Sequence, residues 1–319
     1  MGAAAAYRAF AEYEVKGYSN TYFEWALSIS EDPGVLTLID ELPVRSQQPN
    51  LIFAACRFLG VEPGPYRVLR NFLLTHWSLV AEVALRRRTQ TNEPGRCAVL
   101  LPLLAMLPQP LALLEVGASA GLCLYPDRYS YVYDDDHRID PAGGVSDVSL
   151  VCATRGDPPL PEALPDVVWR AGIDVAPLDV RDASSMKWLA SLVWPEQEFR
   201  QHRLAAAIDI AKSDPPLLFE GDLVDRLAAV VARAPHEATL VVFHSAVLSY
   251  LDEGHRRDFE QQVRRLPATW ISNEGSGVVF THERERKVDQ DNNPTPFVLS
   301  CDGRAVALAG AHGQSLDWW

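Results

Sequence analysis

The run Glu115-Val116-Gly117-Ala118-Ser119-Ala120-Gly121 carries the chemistry that can be read most directly from this chain. Small side chains let a backbone pass close to a ligand, and a helix after such a turn would aim its free N–H groups at an anion. A dinucleotide fingerprint would need glycines where Ser119 and Leu122 stand, and a P-loop would need a Gly-Lys-Ser/Thr ending that is absent. An acid two residues before the first glycine instead suits a ligand that bears an ammonium and a sulfonium and no pyrophosphate. The turn therefore predicts an S-adenosylmethionine site touched by Glu115, Gly117, Ala118, Ser119 and Gly121. The same residues spell G-x-S-x-G, so a nucleophile elbow with Ser119 as nucleophile and His312 as its base is a competing reading. That elbow requires several strands before it, whereas the preceding residues have helical periodicity. A tight strand-to-helix turn without a ligand is a third possibility, and a non-enzymatic protein that keeps the nucleotide-type cleft only for binding or interaction is a fourth.

Residues further along fall where such a site needs partners. Asp174, near the end of the run Val167–Val175, is placed to accept hydrogen bonds from ribose hydroxyls, and Asp222 ends the run Leu217–Asp222 with adenine as its expected contact. Either acid could equally be a helix N-cap. Asp134, Asp135 and Asp136 form a rival acidic cluster that more often makes a solvated turn. His244, at the end of Thr239–Ser245, is the candidate general base and a cofactor contact, or equally a histidine hydrogen-bonded to a neighbouring loop, with His312 as a secondary candidate. Tyr250 and Ser245 are expected to orient an acceptor. Gln90, Asn92, Glu93 and Arg96 form a polar joint expected to cover the cofactor or grip the substrate, or else simply to cap a junction.

These residues need a scaffold, and the hydrophobic pattern supplies one. From Tyr7 to Leu107 apolar residues recur at spacings of three and four, broken by Asp32-Pro33-Gly34, Gln48-Pro49-Asn50, Glu62-Pro63-Gly64-Pro65 and Glu93-Pro94-Gly95, which predicts about six amphipathic helices. At Leu111 the pattern changes to short apolar runs: Leu111–Val116, Val167–Val175, Leu217–Asp222, Thr239–Ser245, Thr269–Gly275, Val278–Glu283 and a terminal pair, FVLSC and AVALAG. Helical stretches at Ser184–Val193, Glu196–Ala211, Leu223–Ala232 and Gly254–Leu266 separate the earlier ones. Strands alternating with helices predict an α/β, Rossmann-like doubly wound sheet of the class I methyltransferase type, with the last strands closing an antiparallel edge. Residues 1–95 are expected to be a helical N-terminal domain that closes over the substrate. Residues 96–319 would be the S-adenosylmethionine-binding domain, with a hairpin and loop inserted at 125–165.

Bulk composition narrows the function classes. The 319 residues carry a net charge of −13, which disfavours sequence-independent attraction to nucleic acid and directs attention to a small-molecule substrate. The five cysteines, Cys56, Cys97, Cys123, Cys152 and Cys301, are scattered without CxxC spacing, so neither a disulfide framework nor a structural zinc site is expected. Reduced thiols and no signal-like or membrane-spanning stretch lead to the expectation of a cytoplasmic protein.

Several motifs together resemble a known family. Gln48-Pro49-Asn50, Gln90-Thr91-Asn92-Glu93 with Gly95-Arg96, the central turn continuing to Asp127-Arg128-Tyr129, Val193-Trp194-Pro195, Val242-Phe243-His244-Ser245 and His312-Gly313 are similar in order to the bacterial domain-of-unknown-function family 2332. Cys123 stands where that family is expected to carry Asn, and Pro94 where it is expected to carry an aliphatic residue. The resemblance implies a Rossmann-type methyltransferase fold with a helical N-terminal extension. It implies no established reaction or substrate.

Overall fold

Proline and glycine punctuation divides the first third of the chain into helices, as the periodicity predicts. The computed structural model describes residues 2–90, 92–279 and 297–319. Five α-helices come first: α1 (Ala3–Phe10), α2 (Asn20–Ile29), α3 (Pro33–Asp40), α4 (Pro49–Phe58) and α5 (Tyr66–Arg86). The caps follow local chemistry. Ser19 accepts from the Tyr22 N–H at the start of α2, and Asp32 accepts from Gly34 and Val35 ahead of α3, with Pro33 at its first turn.

The chain then forms α6 (Cys97–Met106) and β1 (Leu111–Val116). A three-residue 3₁₀ turn at Leu122–Leu124 follows, where the sequence predicts a helix. Next come β2 (Ser130–Tyr133), β3 (His137–Ile139), β4 (Ser149–Arg155), β5 (Val167–Asp174), α7 (Ala183–Leu192) and α8 (Glu198–Ser213). The remaining elements are β6 (Leu217–Glu220), α9 (Leu223–Val231), β7 (Thr239–Ser245), α10 (Glu253–Val263), β8 (Thr269–Gly275), β9 (Phe297–Cys301), β10 (Arg304–Ala309) and β11 (Ser315–Trp318). Of the expected strand Val278–Glu283, Val278 and Val279 lie in a bend and the rest lies outside the described residues.

Two compact units result, one of residues 1–91 and 182–205 and the other of 92–181 and 206–319. In the first, α7 and the segment after it join the N-terminal helices. Arg57 donates to the carbonyls of Ser191 and Val193, the Trp194 indole donates to Asn50 Oδ1 at 3.0 Å, and Trp188 donates to the Arg88 carbonyl at 3.0 Å. Asn50 and Trp194, from two separate sequence motifs, are thus direct partners. Gln90 belongs to this unit.

The second unit contains a large, mostly parallel sheet of order β3-β2-β4-β11-β10-β9-β8-β7-β1-β5-β6. The strands β6, β5, β1, β7 and β8 are mutually parallel neighbours, as expected for runs separated by helical segments. The terminal antiparallel strands β9 and β10 do not close an edge. They are followed in the sheet by β11 and by the inserted strands β4, β2 and β3, so the 125–165 insertion extends the sheet beyond a hairpin. One sheet face is covered by a core of Ala112, Leu114, Val116, Val242 and Trp270 with Leu227, Phe259 and Val263 from α9 and α10. Burial of each large side chain there contributes roughly 1.5–3 kcal/mol.

Close packing at the carboxyl ends fixes the spacing between β1 and β5. A Cβ on Gly172 would lie 2.4 Å from Ala118 Cβ and 2.8 Å from Leu218. Gly172→Ala is therefore expected to lower stability by roughly 1–3 kcal/mol through overpacking. Urea unfolding reads this directly, and an unchanged midpoint would show that the strands yield without cost.

Candidate functional site

The chain runs outward from β1 in both directions, to β5 and β6 on one side and to β7 and β8 on the other, so the order reverses between β1 and β7. Crevices at the carboxyl ends of strands flanking such a reversal are where open α/β sheets take ligands. Side chains alternate across a strand, and paired residues of parallel neighbours share a face. Val116 pairs with His244 and Ser245 pairs with Asn273, so Glu115, Ser245 and Asn273 lie on one face while His244 lies on the other with Val116.

This alternation corrects the expectation for His244. The ring is fully buried, packs edge-on against Phe259 at 5.4 Å, and uses both nitrogens. Indole N–H can only donate, so the 3.0 Å bond from Trp270 Nε1 makes His244 Nε2 an acceptor and leaves Nδ1–H to donate to Glu274 at 2.7 Å. Glu274 also accepts from the backbone N–H groups of Val247 and Leu248. His244 thus orients a buried carboxylate that holds the segment after β7. It presents no free nitrogen to the face that carries Glu115.

On that opposite face stands Glu115, 4% exposed, with Oε2 meeting no hydrogen-bond partner. Burial foremost, with Cys123 beside it, holds its carboxyl well above the ordinary carboxylate value, opposed by the Arg96 guanidinium. Arg96 is buried too. Its Nε donates to the Ala311 carbonyl at 3.1 Å and Nη1 to the Ser245 carbonyl at 2.9 Å. Asn273 Nδ2 donates to Ser245 Oγ at 2.8 Å while its Oδ1 has no partner. Arg96 therefore reaches the end of β7 and the turn after β10, rather than pairing with Glu93 as a simple capping junction would.

The polar joint meets the C-terminal turn. Asn92 Oδ1 accepts from the Leu122 N–H at 2.9 Å, and Glu93 Oε1 accepts from the Gly95 N–H at 3.0 Å. Gly313 has φ +79°, and a Cβ there would lie 1.8 Å from the Gly95 carbonyl oxygen, so only glycine allows this approach. His312 Nδ1 lies 3.9 Å from Glu93 Oε2, with the imidazole side chain 41% exposed. Asn92, Glu93, Arg96, Ser245 and His312 are thereby linked within the second unit. Tyr250 is 74% exposed in the 3₁₀ turn Leu248–Tyr250.

The turn itself is built by its neighbours. Asp174 accepts from the Ser119 N–H through Oδ2 and from the Ala176 N–H through Oδ1, both at 2.8 Å, which ties β5 to the end of β1. Asp222 accepts from the Val224 N–H at 2.8 Å and caps α9. Asp134 accepts from Thr154 at the β2–β3 turn, so the acidic cluster is a hairpin corner. Gly117 has φ +72°, and Val247 fills the space beside it: a Cβ would lie 2.3 Å from Val247 Cγ2. Gly121 packs against Pro216 in the same manner. Ala118 is buried against Gly172.

Ser119 adopts φ +53°, a left-handed conformation that costs an L-residue roughly 1–2 kcal/mol, and its buried Oγ has no partner. The elbow reading would need an imidazole on that oxygen. None stands there among the described residues.

Below its ordinary value of 4.5 Glu115 is protonated in folded and unfolded chains alike. As pH rises above that value the unfolded chain loses this proton while the folded chain keeps it, so stability falls until the folded carboxyl also titrates. Glu115→Gln removes the loss. The variant is expected to melt higher than the parent above pH 4.5, by on the order of 2–4 °C per kcal/mol of burial cost removed, and to match it at lower pH. Melting temperatures measured across pH check this, and parallel curves would contradict it.

No metal-binding group of three or more His, Cys, Asp or Glu occurs among the described residues, and no described helix is long and apolar enough to cross a membrane. No curated protein and no solved structure matches the chain. A family model, described as an uncharacterized protein conserved in bacteria, matches residues 4–318. With nearly every residue from α1 to β11 inside that match, the chain belongs to domain-of-unknown-function family 2332.

Proposed function

We propose that the second unit binds S-adenosylmethionine at the carboxyl ends of β1 and β7 and belongs to a methyltransferase acting on a small molecule. The observation that carries this reading is the buried Glu115 with its unpartnered Oε2 at the reversal of strand order. An ammonium brought there would give that oxygen the donor it lacks. Ser119 Oγ, also without a partner, offers a second polar contact from the same turn.

The fit differs among the other expected contacts. The carboxylates of Asp174 and Asp222 already serve backbone N–H groups, so contacts to ribose and adenine through them have less support than the contact at Glu115. Val247 lies where a ligand approaching Gly117 would pass, so entry by that route displaces it. When bound, S-adenosylmethionine supplies an electrophilic methyl group, and displacement at it needs chiefly alignment, plus a base where the acceptor carries a proton. His312, part-exposed and beside Glu93, takes over from His244 as the candidate base.

Calorimetry with S-adenosylmethionine and S-adenosylhomocysteine is expected to give saturable binding that Glu115→Gln weakens about ten-fold or more, the loss of one charge-assisted hydrogen bond. Absence of binding to both compounds would overturn the proposal.

A further inference from the structure

We infer that the site recognises a free α-amino acid group, with Arg96 taking its carboxylate and Glu115 its ammonium. The inference shares the ligand site proposed above and requires no adenosine.

Two buried groups of opposite formal charge on one sheet face would ordinarily close into an ion pair, because each alone is costly to bury. Here they do not. Arg96 is 7% exposed, and its hydrogen bonds go to the carbonyls of Ser245 and Ala311, on two different elements that fix the guanidinium in place. Among the described residues no carboxylate stands within ion-pair distance of it, Glu115 included. Glu115 Oε2 in turn meets no donor. Arg96 Nη1 is held on the carbonyl of Ser245, which follows the β7 residue paired with Val116, so the guanidinium stands at the strand ends that carry Glu115.

A cation alone would satisfy Glu115 and leave Arg96, which has carbonyl partners and the Phe297 ring 5.8 Å away, without an anionic partner, and an anion alone would do the reverse. A ligand bearing an ammonium and a carboxylate on one carbon satisfies both. Two further buried atoms of the second unit without a hydrogen-bond partner suit the two ends of such a ligand: Asn273 Oδ1 is an acceptor for an ammonium hydrogen, and Ser119 Oγ carries a hydroxyl hydrogen that can be donated to a carboxylate. An ammonium bound there would favour the ionised carboxylate, whose proton passes to solvent, so affinity rises with pH while the free protein's carboxyl is still protonated.

The test is calorimetry on the full chain with five probes: L-methionine, its deaminated acid, its decarboxylated amine, S-adenosylhomocysteine, and methylthioadenosine, which lacks the amino acid group. L-Methionine is expected to bind at least about ten-fold more tightly than either single-charge analogue, and S-adenosylhomocysteine more tightly than methylthioadenosine by a similar factor. Arg96→Gln is expected to erase the preference over the amine while keeping the preference over the acid, and Glu115→Gln to do the opposite. These comparisons use the parent protein first, so a variant that fails to fold leaves them intact. Equal binding of methionine and its analogues, or no binding of any amino-acid probe, overturns the inference. Binding of methylthioadenosine as tight as that of S-adenosylhomocysteine overturns it while sparing the cofactor proposal, and binding of methionine without S-adenosylhomocysteine does the reverse.

Discussion

A carboxyl group enclosed in a sheet without a donor for one of its oxygens is a standing cost, and Glu115 is such a group. The fold does not relieve it. Arg96, the one guanidinium acting on it, is held by the carbonyls of Ser245 and Ala311, and Cys123 and Asp174 push its proton affinity further up. Proteins keep perturbed carboxyls chiefly where they serve binding or catalysis. The neighbouring left-handed Ser119, with a buried hydroxyl that has no partner, places a second cost in the same turn.

The surrounding structure is arranged to hold that arrangement still. Asp174 binds the turn through Ser119 N–H, and Asn92 binds the Leu122 N–H just beyond it. Arg170 forms paired hydrogen bonds with Asp127 and also donates to the Leu124 carbonyl, while the Tyr129 hydroxyl donates to the Leu122 carbonyl. On the far face of the sheet, Trp270, His244 and Glu274 form a buried relay that ends on the N–H groups of Val247 and Leu248, and Val247 packs on Gly117. His244 acts on the turn through backbone placement.

Much of this was legible in the sequence. Apolar runs against helical periodicity located β1, β5, β6, β7, β8, β9 and β10, most clearly β1 and β7, which are buried on both faces and so leave continuous apolar runs. Ser149–Arg155 and Ser315–Trp318 were missed because they alternate or are short, and their place in the sheet comes from pairing with each other. The helix expected after Gly121 is replaced by the Leu122–Leu124 turn, whose chain leads directly into the inserted strands. For the site, the strand-end position of His244 suggested proximity to Glu115. Its parity, countable from Thr239, would have placed it on the opposite face and put Ser245 in its stead. The path of Arg96 to Ser245 and Ala311 depends on contacts between residues far apart in the chain, and no local pattern signals it.

Burial raises the proton affinity of Glu115, and a ligand ammonium reaching it would favour the ionised form. Infrared difference spectroscopy of the parent and Glu115→Gln proteins, with and without L-methionine or S-adenosylmethionine, measures this most directly. The expected result is a protonated-carboxyl band that persists in the free parent above pH 4.5, is absent from the variant and is lost on ligand addition. A Glu115 already ionised in the free protein, or a band that ligand leaves unchanged, would contradict it.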